Sequence, residues 1–169
     1  MIRTTGMLAL VCLFLSLAVT PIRKITGLHW LIFARRTLGL YAFFYASFHF
    51  LLFFIFDRSM SLSSTISEVF IRKYLLLGLT AFLLLMPLAA TSTNAMIKRL
   101  GAARWRALHR LVYLAAVAGV IHYYMLVKAD LRQPIAFAVA LAILLGYRLM
   151  TYWSTSKPVQ AATADGSKI

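Results

Sequence analysis

Five long apolar stretches, separated by short connections rich in Lys and Arg, dominate this chain of 169 residues. They run from Thr4 to Thr20, Thr37 to Phe56, Tyr74 to Ala90, Leu108 to Val127 and Pro134 to Trp153. A helix of roughly 17–25 apolar residues crosses a bilayer core, so each stretch is of crossing length. Inside lipid the backbone has no water to bond, which makes helices the form for these segments. The chain is 62% hydrophobic, and a globule of one-domain size has too little interior to hide that surplus. The fold class that follows is all-α: a polytopic transmembrane helix bundle of five spans, forming one domain over residues 1–153. The remainder, 154–169 (STSKPVQAATADGSKI), is small and polar and reads as a disordered tail.

The first stretch has a competing reading. MIRTTGMLALVCLFLSLAVT resembles a secretory leader in its basic start and apolar middle. Pro21, Arg23 and Lys24 follow at once, where a leader would need small residues, and a retained helix flanked by these cations is the favoured form.

Lys and Arg total 18 against 4 Asp and Glu, for a net charge of +14. A nucleic-acid binder gathers such charge into a patch or stripe. Here the cations fall between apolar runs, the pattern of membrane topology, so lipid and not nucleic acid is the expected neighbour. Segments 21–36, 91–110 and 148–169 hold twelve of them and the alternate segments six. The positive-inside rule then puts the N-terminus outside and the C-terminus in the cytoplasm. The single cysteine, Cys12, lies in an apolar run, which excludes an intrachain disulfide and a CxxC site. Histidine is the strong soft-metal ligand that remains.

His49 precedes Phe56 by seven residues and His122 precedes Val127 by five, about 10 and 8 Å from the same end of two co-directional spans at 1.5 Å per residue. The two imidazoles therefore lie at matching depth. Each has the bland alternative of an interhelical hydrogen bond. Facing each other, they suit bis-His axial ligation of b-type haem. His109 precedes His122 by thirteen residues, a rise of about 20 Å that puts it near the opposite face, and about 140° away in angle on a straight helix. Three readings are open: a helix distorted near Gly119, a second haem approaching from another side, or an ordinary interfacial His109 beside Arg106 and Arg110. Arg35 and Arg36 occupy the His109 level. Guanidinium is a poor iron ligand because it stays charged, and a good partner for haem propionates; plain topological anchoring is the alternative. His29, next to Trp30, reads as interfacial.

RRTLGLYAFFYASFH at 35–49, IRKYLLLG at 71–78, TSTNAM at 91–96 and WRALHRLVYLAAVAGVIHYYMLVK at 105–128 occur together and in order. In these segments the chain, to about residue 150, resembles the MsrQ (YedZ) family, part of the ferric-reductase-like transmembrane superfamily. The resemblance implies a haem-bearing membrane subunit of a periplasmic protein-methionine-sulfoxide reductase system in the bacterial inner membrane. It implies a six-helix cytochrome b with both termini cytoplasmic, and this chain begins where the second helix of the family would begin, through a late start or a shorter variant. Electrons from a cytoplasmic flavin reductase would cross to MsrP, a periplasmic molybdopterin enzyme that repairs oxidised proteins. By position, His49, His109 and His122 match the three haem-associated histidines, and Arg35 falls at the arginine level near the inner haem. The implied cofactors are haem b, one or two, and in some members FMN.

An electron carrier with no substrate chemistry of its own is thus the leading expectation. The sequence has no nucleotide-binding glycine motif, so NAD(P)H would be oxidised on a partner. A quinol-linked cytochrome b and a small transporter subunit with proton-relaying histidines are the alternatives.

Overall fold

The computed structural model describes residues 1–57, 60–127 and 130–156. It is helical throughout, with no strand among the described residues. Helix α1 (Ile2–Thr26) is followed by α2 (Leu31–Leu52), whose end widens into a π-helical turn over Phe53–Asp57. A short α3 (Leu62–Ile71) leads into α4 (Lys73–Ala90), and two brief helices, α5 (Asn94–Leu100) and α6 (Ala102–Leu108), lead into α7 (Leu111–Leu126). The last, α8, covers Arg132–Ser156.

Local chemistry accounts for the boundaries. Past Pro21, α1 runs on to Gly27, whose left-handed φ of 74° closes the helix with its N–H on the Arg23 carbonyl. Arg23 and Lys24 lie in that last turn, where cations suit the helix dipole. Ser61 caps α3 by accepting from the Ser64 N–H at 3.3 Å, and Thr93 caps α5 by accepting from the Met96 N–H at 3.3 Å. The TSTNAM segment is therefore a helix start. Helix α8 continues three residues past Trp153, so position 154 falls within a helix, and residues 157–169 of the expected tail lie outside the described residues.

Helices α1, α2 with its π turn, α4 and α8 are long and apolar enough to cross a membrane. The fourth expected span differs. Its 16-residue helix α7 is about 24 Å long, shorter than a bilayer core of about 30 Å, because the chain breaks at His109–Arg110. There the Arg110 N–H bonds the Ala107 carbonyl, three residues back, at 3.1 Å, and the Tyr113 N–H bonds Arg110 in the same way at 3.1 Å.

The helices pair as α1 with α2 and α4 with α7, and the two pairs close on each other through α1–α7 and α2–α4. Leu10, Leu13, Phe14 and Leu17 of α1 meet Ala42, Leu85, Ala115, Ala116, Val120 and Leu141 in the core. Fully buried alanines at 42 and 116 let backbones approach closely, which is how helices associate where lipid removes the hydrophobic drive. Large apolar side chains such as Phe44, Leu83 and Ile143 face outward, as a lipid-exposed surface requires.

Candidate metal centre

His49, in the last turn of α2, and His122, near the end of α7, are brought together with their rings close to perpendicular. Their ring centroids are 6.3 Å apart and their planes are inclined at 76°. Each ring is tied to the backbone of the helix behind it. His49 Nδ1 bonds the Ile2 carbonyl of α1 at 2.9 Å, and His122 Nδ1 bonds the Tyr74 carbonyl of α4 at 2.6 Å. A carbonyl only accepts, so Nδ1 carries the proton in both rings, and in the neutral imidazole Nε2 is left as a bare lone pair. This is the tautomer a metal ligand needs, set by the bond at the other nitrogen.

The two rings line a cavity of about 390 Å³. Its walls come from five helices, α1, α2, α3, α4 and α7, and are overwhelmingly apolar, with Leu10, Phe50, Phe82 and Leu126 among them. Phe82 of α4 stacks in parallel on both Phe43 and Phe50 of α2, at 5.8 and 5.4 Å between centroids, which stiffens one wall. Arg3 and Asp57, both exposed, line the same cavity and mark its polar opening.

The other end of the bundle is built differently. His109 is the residue that closes α6, and its Nδ1 donates to the Trp105 carbonyl of its own helix at 3.1 Å. The Trp105 ring lies against the imidazole with centroids 3.9 Å apart and planes at 28°. Trp105 in turn donates Nε1–H to the Thr91 carbonyl at 3.0 Å, which fastens α6 to the end of α4. Of the three readings of the His109–His122 spacing, a distortion near Gly119 is not what forms: the helical run is interrupted at His109–Arg110. Gly119 instead serves the α1–α7 crossing, where a Cβ would lie 3.1 Å from Leu10 Cδ2. Burial, first, holds the His109 pKa below the ordinary histidine value; the Trp105 carbonyl opposes this, and the charge of Arg35 adds to the lowering.

Arg35 and Arg36 part company. Arg36 is exposed and donates Nη1–H to Asn94 Oδ1 at 2.7 Å, a tie between α2 and α5. Arg35 is half-buried, its carbonyl held by Ser16 Oγ at 2.9 Å, and its charged neighbours are Arg148 and Arg23. Arg148 donates to Thr20 Oγ1 at 3.2 Å and lies 5.1 Å over the Tyr113 ring, a cation–π contact. The described acidic residues, Asp57, Glu68 and Asp130, all belong to connections at the His49–His122 end. The Arg35 end therefore gathers cations with no described carboxylate beside them.

Sequence reasoning missed several parts of this arrangement. Gly6 and Gly78, against which the paired imidazoles rest, carry no periodic signal in an apolar run. Arg148 counted only as a topological charge, although an arginine inside AILLGYRLMTYW was a visible oddity. The tie from Trp105 to Thr91 joins residues 14 apart and had no sequence signature.

Residues 5–120 match the family described as the ferric reductase like transmembrane component, a class of helical membrane proteins. Relatives extend the match along the chain. The protein-methionine-sulfoxide reductase heme-binding subunit MsrQ of Ralstonia nicotianae is 45% identical over 98% of this chain and 76% of its own length. The proteins of the same name from Herminiimonas arsenicoxydans and Rhodospirillum rubrum are each 46% identical, over 96% and 88% of this chain and 77% and 71% of theirs. No solved structure matches the chain. The chain belongs to the MsrQ family of ferric-reductase-like transmembrane proteins.

Proposed function

We propose that this chain is the haem-carrying electron-transfer subunit of a protein-methionine-sulfoxide reductase system. His49 and His122 would hold its iron. The observation that carries the reading is the facing pair of imidazoles whose Nδ1 atoms are both bonded to backbone carbonyls. An imidazole holds a transition metal at about 2 Å, with the ring centre roughly 1 Å further back, so two axial rings on one ion need centres about 6 Å apart. The observed 6.3 Å satisfies this. No cluster of three or more His, Cys, Asp or Glu forms a metal site among the described residues, so a two-imidazole site suits an ion that brings its own equatorial donors. Haem b is that group, and the MsrQ relatives are named as heme-binding subunits. When bound, haem supplies a reversible one-electron couple. The protein holds the imidazoles in one tautomer and walls the couple off from water with apolar side chains.

The route follows from the family. Electrons enter from a flavin reductase in the cytoplasm and leave to MsrP, a periplasmic molybdopterin enzyme that reduces methionine sulfoxide in oxidised proteins. The excess of Lys and Arg in segments 21–36, 91–110 and 148–169 favours a cytoplasmic C-terminus in the bacterial inner membrane.

The test is the visible spectrum of the detergent-solubilised protein, oxidised and dithionite-reduced. Sharp reduced bands are expected, and His49→Ala and His122→Ala should each remove the bis-imidazole signal. Full haem loading in both variants would refute the pairing. Reoxidation of the reduced haem by added MsrP with methionine sulfoxide tests the route.

A further inference from the structure

The two paired imidazoles are seated in the same way on two different helices, and the shared element is a glycine. His49 bonds the carbonyl of Ile2, and its ring rests over Gly6, four residues further along α1. His122 bonds the carbonyl of Tyr74, and its ring rests over Gly78, four residues further along α4. The offset has a geometric cause. In an α-helix each Cα–Cβ bond tilts toward the N-terminus, so a side chain covers the turn before its own Cα. The side chain at position i+4 is thus the one that shields the carbonyl at position i from a neighbouring helix. Glycine at i+4 leaves that carbonyl open to a donor from the neighbouring helix, and the Ile2 carbonyl takes the Thr5 hydroxyl at 2.8 Å as well.

A side chain on residue 78 would collide with the ring, and one on residue 6 would crowd it. A Cβ on residue 78 would lie 2.8 Å from His122 Nδ1 and 2.9 Å from its Cε1. A Cβ on residue 6 would lie 3.0 Å from His49 Cε1 and 3.1 Å from its Nδ1. The atoms met are those at the hydrogen-bonding edge of each ring, so the first thing a methyl group displaces is the Nδ1–H bond itself.

We propose that Gly6 and Gly78 are positioning residues for the axial ligands. Each opens a helix carbonyl to the imidazole of the neighbouring helix, and so fixes the tautomer and raises the electron donation of Nε2 toward the iron. This rests on the haem reading above. It goes beyond that reading by assigning the tuning of the couple to α1 and α4, which supply no ligand.

The experiment compares Gly78→Ala, Gly6→Ala and Gly146→Ala in the purified haem-loaded protein, by haem content, low-spin EPR and redox titration. Gly146 meets nothing within 4 Å and is the control. Loss of an outer-shell partner to a ligating histidine costs about tenfold or more in affinity, so Gly78→Ala should lose most of its haem. The fraction it keeps should titrate at a higher potential, because a less basic imidazole stabilises ferric iron less. Gly6→Ala, where the ring need give by only a few tenths of an ångström, should keep its haem and shift in the same direction by less. Gly146→Ala should match the parent. If Gly78→Ala does not accumulate, Gly6→Ala decides alone. A packing role would lower thermal stability and leave EPR and potential where they were; unchanged EPR and potential in the alanine variants that carry haem would overturn the proposal. Failure of the haem reading is distinct: the parent would then carry no haem, or His49→Ala and His122→Ala would keep it.

Discussion

The two ends of the bundle use the same local device and obtain opposite results. At one end each imidazole gives its Nδ1–H to a carbonyl on a different helix, and the rings turn toward each other across an apolar cavity. At the other, His109 gives its Nδ1–H to its own helix and lies flat against the ring of Trp105. A bond to a carbonyl of a neighbouring helix holds each paired ring between helices; His109 is held mainly by its own helix, with the Leu88 backbone of α4 as a further partner. The electrostatics diverge too. The His49–His122 cavity is walled mostly by hydrocarbon, with the charges of Arg3 and Asp57 at its opening, whereas His109 has Arg35 as a charged neighbour. Beside these guanidinium groups a cation is disfavoured and an anion is favoured.

Replacing the histidines one at a time gives the largest contrast. His122→Ala should eliminate the bis-imidazole absorption, since each ion in such a site depends on both rings. His109→Ala should preserve it, with a haem-to-protein ratio close to that of the parent in a pyridine haemochrome assay. A ratio cut to half would show a second iron at the Arg35 end, and the contrast between the ends would have to be redrawn as one of ligand type.

Trp105→Ala comes next. It removes a ring stack and a hydrogen bond to Thr91, together about 2 kcal/mol. Thermal unfolding should record that loss while the reduced spectrum stays unchanged, which would confirm that the two ends are energetically separate. The same end carries a pH signature. Because burial lowers the His109 pKa in the folded state, the native protein binds fewer protons than the unfolded one below the ordinary value of about 6.5. Stability from this group is complete above that pH and falls as acid passes from there through the lower folded value. Stability of His109→Gln, measured across pH 5–8, should show a shallower slope.

What could be read in advance divides along the same line. The apolar runs specify helices because lipid allows only helices and closed barrels, and these runs are too long for barrel strands; the common depth of His49 and His122 follows from counting residues to Phe56 and Val127. Neither inference needs a tertiary contact. The break at His109–Arg110 does need one: LHRLV has no Gly or Pro to announce it, and the Trp105–Thr91 bond is what fastens α6 there. The partners of Arg148 were equally hidden, since Thr20 and Tyr113 come from helices far apart in sequence.

Arg148→Gln is expected to move stability little. It loses the Thr20 bond, about 0.6 kcal/mol for an average interhelical bond in a membrane protein, and relieves repulsion with Arg35, a term of opposite sign. The informative measurement is the response to anions. Phosphate added at constant ionic strength should raise the melting temperature of the parent more than that of Arg148→Gln, if the cations at this end act together on one anion. Equal responses would reduce the cluster to independent topological anchors.

The smallest expected effect concerns Arg36, adjacent to Arg35 and indistinguishable from it in the sequence. Its bond to Asn94 is short, at 2.7 Å, but the residue is exposed, and exposed polar contacts contribute at most about 1 kcal/mol. Arg36→Ala and Asn94→Ala should therefore each lower stability by less than that. The double variant should be no less stable than the worse single one, because both remove the same bond. Neither should alter the haem spectrum or potential. A shifted potential in Arg36→Ala alone would mean that its guanidinium leaves Asn94 for a cofactor carboxylate, and the two neighbouring arginines would then share one task.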